Sequence, residues 1–384
     1  MRNSAYKPML GCYWLLLSGL VFVLLLPQGT SAQQNLPPPV HPGTQTTLLD
    51  SLAWVWRAED SLSLARALEA ARLHGWPTGL DNARLVGLRP DGSPLYELNH
   101  NRTAAQTIGT HRLRAGGDLG LNLTGEGMTV GMWELGVPRA THREFQDRVR
   151  IADGSTYTDC NTVNYHATHV GGILIAAGLS PEAQGMAPAA RMDAYDTNND
   201  SGEMASAGGG GLLISNHSYG TITGWYFNPT QNRWEWYGNT AVHPRIDYNF
   251  GFYDSRAQRW DQIAQLSPYY LIVKSAGNDR VDRQPGGDYY VFNNTTRRWE
   301  VSREQRNADG PWDCISTYGT AKNILTVGAV SDLPGGWNGP NSVRITDFSS
   351  TGPTDDGRVK PDLVANGDGL RSTGCRTDTR LDTE

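Results

Sequence analysis

Strand-like and helix-like stretches alternate along the chain from residue 128 onward, and this alternation constrains the fold more than any other feature. Short apolar runs typical of strands occur at 128–133, 211–215, 270–274 and 324–330. Small apolar residues at 170–177 and an amphipathic stretch at 254–266 indicate helices. Alternation over about 240 residues predicts an α/β fold, a parallel sheet with helices on both faces.

The first 32 residues have the pattern of a secretory signal peptide. Arg2 and Lys7 precede an apolar run at 14–26, and small residues follow up to Ala32. The run is short for a membrane span, and the small residues predict cleavage after Ala32. We therefore expect a secreted, extracellular or cell-envelope protein without a membrane segment in the mature chain. The alternative is an uncleaved anchor.

Residues 33–110 have a different pattern, which predicts a small α/β unit ahead of the main domain. The polar, proline-rich stretch 33–50 is expected to be a mobile lead-in. Residues 58–73 have helical spacing, and Gly75 ends the predicted helix. Two short apolar runs flank a Pro-Asp-Gly turn within 84–99, which predicts a hairpin.

Charge and cysteine content narrow the classes of function. The net charge is −6, with 33 basic and 39 acidic residues, so we expect no nucleic-acid partner. Once Cys12 has left with the signal peptide, Cys160, Cys314 and Cys375 remain. In an exported protein these allow one disulfide and one unpaired thiol. We expect the bridge between Cys160 and Cys314, although the spacing does not fix the pairing.

Three polar residues lie where an α/β sheet places its functional sites. Glu134 ends the first predicted strand, His166 opens a predicted helix, and Asn278 follows the strand at 270–274. In open α/β sheets, sites form at the carboxyl ends of the strands. Each residue also has another interpretation. Glu134 is then a surface acid, His166 a metal ligand together with His169, and Asn278 part of an Asn-Asp turn.

The chain resembles the subtilases, the subtilisin-like serine proteases, in the order of its acid, histidine and asparagine and in the sequences around them. The matching segments are VGMWELG at 130–136, THREF at 141–145, HATHVGG at 166–172, GMAP at 185–188, SNHSYG at 215–220, SAGN at 275–278, FSSTGP at 348–353 and KPD at 360–362. The resemblance covers about residues 111–370. It implies a subtilisin-like fold lacking its C-terminal part, with an incomplete catalytic domain at 111–370. Residues 33–110 would then be a pro-region-like segment, and 371–384 an unstructured tail.

The resemblance also implies an activity, hydrolysis of peptide bonds by a secreted serine endopeptidase acting on a peptide or protein substrate. His166 would be the general base, Glu134 would orient it, and Asn278 would stabilise the oxyanion. The residues implied in substrate binding are Ser218, Tyr219, Gly220, Ser275, Ala276 and Gly277. His142 and His169 are expected to be structural. The family includes calcium-binding members, but we can assign no cofactor or metal site here.

The sequence departs from the family pattern at the acid. Glu134 stands where the family has Asp, and its side chain is longer by one methylene. Glutamate fills this role in some unrelated triads, so the change alone does not indicate an inactive protein. Asp153 and Asp159, which lie between Glu134 and His166, are the alternative acids.

The second departure concerns the nucleophile. The family has a Gly-Thr-Ser-Met-Ala-type motif soon after the KPD segment, and none of the 22 residues that follow KPD spells it. Ser372 and Cys375 are weak substitutes because the flanking residues differ. We expect a chain truncated or frame-shifted before its nucleophile, and therefore inactive alone. The alternatives are a non-catalytic peptide-binding pseudoprotease and, from the tryptophans at 225–260, a carbohydrate binder.

Overall fold

The structure, a computed structural model, describes residues 41, 43–80, 83–99, 107–115, 117–180, 183–333, 337–368 and 370–383. The predicted signal peptide and cleavage site lie outside these residues. The helices are α1 (Thr46–His74), α2 (Thr162–Ile175), α3 (Asp200–Gly209) and α4 (Ser255–Leu266). The strands are β1 (Gly79–Leu80), β2 (Ala83–Leu88), β3 (Pro94–Asn99), β4 (Thr129–Glu134), β5 (Val149–Ile151), β6 (Arg191–Asp196), β7 (Ile214–His217), β8 (Tyr219–Thr221), β9 (Trp225–Asn228), β10 (Arg233–Trp236), β11 (Leu271–Ser275), β12 (Tyr289–Asn293), β13 (Arg298–Ser302), β14 (Leu325–Val330), β15 (Leu363–Asn366), β16 (Arg371–Thr373) and β17 (Leu381–Thr383).

A seven-stranded parallel sheet forms the centre of the fold, as the alternating pattern predicts. Its strand order is β15-β14-β11-β7-β4-β6-β5, and every pair of neighbours is parallel. The carboxyl ends of β4, β7 and β11 therefore lie side by side at one edge. The four strands predicted from apolar runs are β4, β7, β11 and β14, shifted by at most three residues at their starts.

Separate hydrophobic cores cover the two faces of this sheet. Successive residues of β4 point to opposite faces, so Met132 packs with α2 and Trp133 packs with α3 and α4. On the second face Trp260 is fully buried and stacks on Tyr318 at 4.7 Å. The helices thus lie on both sides of the sheet, as expected for an α/β fold.

The N-terminal part of the described chain shares the main core. Helix α1 contributes Leu49, Ala53 and Trp56 to the cluster that contains Trp133 and Trp260. The helix starts at Thr46, so the prediction of a mobile lead-in through residue 50 is wrong for its last five residues. The apolar side chains at positions 49, 53 and 56 anchor the start of α1 in the core. This packing is tertiary, so the polar composition of residues 33–50 does not reveal it.

The predicted helix end and hairpin are confirmed. Gly75 caps α1 in the left-handed conformation, with φ of 70°, and its N–H donates to Ala71 O. Strands β2 and β3 are antiparallel around the Pro-Asp-Gly turn. Strand β3 also pairs with β8, so the hairpin sheet has the order β1-β2-β3-β8.

The tryptophan-rich region forms a second sheet with the order β13-β12-β10-β9. Trp225 and Trp236 are buried inside it against Tyr289, and Trp260 belongs to the main core. These three rings fill protein interior, so they are not available to stack on a sugar. The carbohydrate-binding interpretation thus loses three of the four tryptophans on which it is based, and the fourth, Trp234, is half-buried.

The C-terminal residues contradict two expectations. Residues 371–383 are not an unstructured tail, because β16 and β17 pair as an antiparallel hairpin packed on α2. Cys375 lies in this hairpin and forms the disulfide with Cys160, while Cys314 is a buried free thiol. The expected Cys160–Cys314 pairing is therefore wrong. Residues that are 215 positions apart meet through tertiary packing, which spacing does not report.

Among the described residues, no helix has both the length and the apolar character needed to cross a membrane.

Glu203 is a largely buried acid on α3. It accepts a hydrogen bond from Trp133 Nε1 at 3.1 Å. Burial raises the pKa of Glu203 to about 9, and the neighbouring Asp153, Asp196 and Asp200 act in the same direction.

Removal of the disulfide should destabilise the fold. We expect the double variant C160A/C375A to lose about 2–4 kcal/mol of unfolding free energy, because the bridge closes a long loop in the unfolded chain. Denaturant unfolding without reductant measures this. Addition of reductant should bring the wild type to the level of the double variant and should leave the double variant itself unchanged, whereas C314A, which keeps the bridge, should lose as much stability as the wild type. Equal midpoints for wild type and double variant would contradict the prediction.

Glu203 should make stability depend on pH. Between about pH 4.5 and 9 the unfolded chain has released this proton while the folded chain retains it, so stability falls as pH rises. The slope from this one group reaches at most about 1.4 kcal/mol per pH unit. We expect E203Q to be more stable than wild type at pH 8 and similar to it at pH 4, in unfolding titrations at both values. A pH-independent difference would contradict this origin.

Candidate active site

The acid of the site lies at the carboxyl end of β4. Glu134 is the last residue of this strand and is fully buried. Its Oε1 accepts a hydrogen bond from Ser218 N at 3.1 Å, just beyond the end of β7. A buried carboxylate requires such partners because burial without hydrogen bonds is costly.

The histidine is held by the start of α2. Asn161 caps this helix by accepting from Asn164 N at 2.9 Å, and His166 follows in the second turn. Asn164 Oδ1 accepts from Val137 N at 3.0 Å, and its Nδ2 donates to Asp159 O at 2.9 Å. Asn164 therefore ties the loop after Glu134 to the helix that carries the imidazole.

The acid and the histidine are hydrogen-bonded. His166 Nδ1 lies 3.1 Å from Glu134 Oε2, and the His166 side chain is 12% exposed. Because Nδ1 faces a carboxylate, the neutral imidazole carries its proton on Nδ1 and leaves Nε2 as the acceptor. This is the arrangement that a general base requires.

The two alternative acids have other partners. The Asp153 carboxylate accepts from Ser155 N at 2.9 Å and from Asp196 N at 2.6 Å. Asp159 accepts from Thr158 Oγ1 at 3.4 Å. The carboxylate that contacts His166 is thus that of Glu134, one methylene longer than the residue usual at this position.

Asn278 lies at the same edge of the sheet. It follows β11 by three residues and precedes a 3-10 turn at Asp279–Val281. Strand β7 separates β11 from β4, so the two strand ends are about 10 Å apart at the usual spacing. Asn278 is half-buried.

The residues expected to bind substrate form two segments beside the acid. Ser218 contacts Glu134, and Tyr219 and Gly220 lie in β8, where they pair with Asn99 and Leu98 of β3. Tyr219 is fully buried, and its hydroxyl donates to Asp200 Oδ2 at 2.6 Å.

The second segment continues β11 toward Asn278. Ser275 ends the strand, and both its carbonyl and its hydroxyl accept from Lys274 Nζ, at 2.7 and 2.8 Å. Ala276 N donates to Val327 O at 2.8 Å. Gly277 has a φ of +114°, which favours glycine, so the chain can turn sharply there.

The two histidines expected to be structural, and the two weak nucleophile candidates, make contacts within the fold. His142 Nε2 lies 2.8 Å from Arg380 O, and burial lowers its pKa. His169 is buried on α2, with its carbonyl accepting from Ser372 Oγ at 2.7 Å. Ser372 is thus fully buried and directed to a helix carbonyl, and Cys375 is consumed by the disulfide.

Metal binding by His166 and His169 has no third ligand in the described part of the chain, where no group of three or more His, Cys, Asp or Glu could hold an ion. The motifs assign no role to Asn164 or to Ser350, whose N–H donates to Gly277 O at 2.9 Å next to Asn278. The first could have been noticed because it lies on the helix two positions before His166. Ser350 lies in the matching segment 348–353, but its contact with Gly277 is tertiary and cannot be obtained from that segment.

Comparison with known proteins identifies a family profile that matches most of the chain. The profile described as "Subtilase family" matches residues 42–383. An uncharacterized protein of Aquifex aeolicus (strain VF5) is 39% identical over 69 residues, which are 18% of this chain and 31% of that protein. This chain therefore covers less than a third of the length of that relative.

Solved structures with similar folds share little sequence with this chain. A cold adapted subtilisin-like serine proteinase is 15% identical, with TM-score 0.39 and coverage of 68% of this chain and 70% of that one. A mutant of the protease domain of PatA is 17% identical, with TM-score 0.41 and coverage of 68% and 74%. A serine protease of Aeromonas sobria is 16% identical, with TM-score 0.39 and coverage of 65% and 39%.

The family profile includes both partners of the hydrogen-bonded acid–histidine pair, Asn278 and the whole central sheet. Its span exceeds half of the chain by a wide margin. The sheet has the parallel α/β arrangement expected from the motifs. This chain belongs to the subtilase family and has its serine protease fold.

Proposed function

We propose that this chain carries the acid, base and oxyanion groups of a serine endopeptidase that hydrolyses peptide bonds. The observation that supports this most directly is the contact of Glu134 Oε2 with His166 Nδ1 at 3.1 Å, at the carboxyl edge of the sheet. Nε2 of His166 would take the proton of a serine hydroxyl and later return it to the leaving amine. Glu134 would stabilise the charged imidazolium, and Asn278 would donate to the oxyanion.

The nucleophile is not assigned to a residue of these 384. No Gly-Thr-Ser-Met-Ala-type motif occurs in the sequence, and Ser372 is directed to His169 O. We therefore propose that these residues alone do not hydrolyse peptides, because the attacking group of the triad is missing from them. Together with a segment that supplies the motif, they would form the complete triad.

Export is a further part of the proposal. The basic and apolar pattern of residues 1–32 is typical of a signal peptide. The Cys160–Cys375 disulfide fits an oxidising compartment. A mass spectrum of protein exported by the native host, beginning at Gln33, would test this directly.

The second candidate function is peptide binding without cleavage, and one observation favours it. Strand β8, which contains the predicted substrate residues Tyr219 and Gly220, already pairs with the extended strand β3. An edge that accepts one strand through backbone hydrogen bonds can accept another. We propose that residues 33–110 act as a pro-region whose β3 covers this edge.

The catalytic proposal predicts a gain of activity when the nucleophile is supplied. We define the extended chain as these 384 residues followed by a subtilase segment carrying Gly-Thr-Ser-Met-Ala. We expect a fluorophosphonate probe to label the extended chain and to leave the 384-residue chain unlabelled. The H166A form of the extended chain should not react. Equal labelling of the H166A form, or labelling of the 384-residue chain at Ser372, would contradict the proposal.

Variants at Glu134 should report its role. In the extended chain we expect E134Q to lower kcat by about 10⁴, because the neutral amide no longer stabilises the imidazolium. E134D should also lose activity, because its shorter side chain cannot reach both His166 Nδ1 and Ser218 N from the same backbone. Steady-state kinetics with a chromogenic peptide measure both. D159N is the matched control and should retain activity; a comparable loss in D159N would argue for the alternative acid.

The covered edge predicts that loosening β3 will uncover peptide binding. We expect L98P in the 384-residue chain to weaken the β3–β8 pairing, because proline lacks the N–H and disfavours a central ladder position. A fluorescent extended peptide should then bind more tightly to L98P than to wild type, as measured by fluorescence anisotropy. P94A, at the first residue of β3, is the control. No gain in peptide affinity with L98P would count against coverage of this edge.

A further inference from the structure

We propose that Ser350 is a positioning residue that fixes the backbone on both sides of Asn278. This inference rests on the proposed function, in which Asn278 is the oxyanion donor. Ser350 N donates to Gly277 O at 2.9 Å, on one side of Asn278. Ser350 Oγ accepts from Asp279 N at 3.0 Å and lies 3.1 Å from Asp279 Oδ2, on the other side.

The backbone at Asn278 needs a partner outside its own strand. Strand β11 ends at Ser275, so Asn278 lies beyond the ladder that pairs β11 with β7 and β14. The positive φ of Gly277 turns the chain immediately before it. A side chain at Gly277 would place its Cβ 2.7 Å from Asp279 Oδ2 and 2.9 Å from Ser350 Oγ. The turn therefore packs directly against the serine.

Ser350 itself lies in a segment that is fixed to the rest of the fold. The preceding residue, Ser349, accepts from Ala329 N of β14 through its hydroxyl at 2.8 Å. The following residue, Thr351, donates its N–H to Cys314 Sγ at 3.2 Å and accepts from Cys314 N at 2.9 Å. Because both of its neighbours are bonded to the rest of the fold, Ser350 can hold the backbone around Asn278 at a fixed position relative to the sheet.

The hydroxyl of Ser350 acts both as a hydrogen-bond acceptor and as a donor. It accepts from a backbone N–H and can donate its hydrogen to the carboxyl of Asp279, and the serine is fully buried. Burial raises the pKa of Asp279 to about 8, with Asp282 acting in the same direction and Lys274 opposing it. Removal of the hydroxyl leaves the Asp279 N–H without the acceptor that it has here, in a buried site where unsatisfied donors are costly.

Hydrogen exchange on the full 384-residue chain tests the contact without any need for catalysis. We expect S350A to accelerate exchange of the Asp279 amide by on the order of tenfold. The Asn278 side-chain amide should become more mobile in ¹⁵N relaxation. S372A is the matched control, because it also removes the hydroxyl of a fully buried serine, one that donates to His169 O. It should leave the exchange rate of the Asp279 amide unchanged. S350C, with a weaker acceptor of similar size, replaces S350A if the latter does not fold.

The outcomes separate the two proposals. Unchanged exchange at Asp279 in S350A and S350C, or an equal acceleration in S372A, would overturn the role of Ser350. In the extended chain, S350A should lower kcat about tenfold with little change in KM, in the same direction as N278A. An equal rise in KM and fall in kcat would also argue against positioning. Failure of the extended chain to hydrolyse any peptide would count against the proposed function alone.

Discussion

The carboxylate of Glu134 joins three parts of the chain that the sequence keeps far apart. One oxygen contacts the imidazole of α2 and the other accepts from the backbone just after β7, while the residue itself ends β4. Because this group is fully buried, its position is set by those contacts and not by solvent. The carboxylate thus links the imidazole to Ser218, the first residue of the segment expected to bind substrate.

The sequence predicted the strand that ends at Glu134 and the helix that carries His166, because their signals are local. An apolar run ending in a carboxylate marks β4, and small apolar residues after His166 mark α2, although this helix starts at Thr162 and not at His166 as predicted. Strand β6 gave no such signal, since Arg191, Asp193 and Asp196 interrupt its apolar pattern. Helix α1 starts at Thr46, twelve residues before the predicted start at 58, because Leu49, Ala53 and Trp56 pack into the main core.

Features that depend on tertiary contacts could not be obtained from local pattern. The predicted partner of Cys160 is wrong because the hairpin of β16 and β17 brings Cys375, not Cys314, to the loop before α2. The role proposed for Ser350 likewise depends on a contact across 71 positions of sequence. Four tryptophans close in sequence resemble a binding surface, yet burial of Trp225, Trp236 and Trp260 assigns those rings to two cores.

Burial of Leu49 and Trp56 in the main core has a consequence for biosynthesis. Their packing partners extend to Tyr318, Ala321 and Ile324, so about 270 residues must leave the ribosome before that core can close. At 5–20 residues per second, this interval lasts on the order of 10–50 s. During it the apolar side of α1 can pack on α3, but the part of its core that comes from Tyr318, Ala321 and Ile324 is still missing.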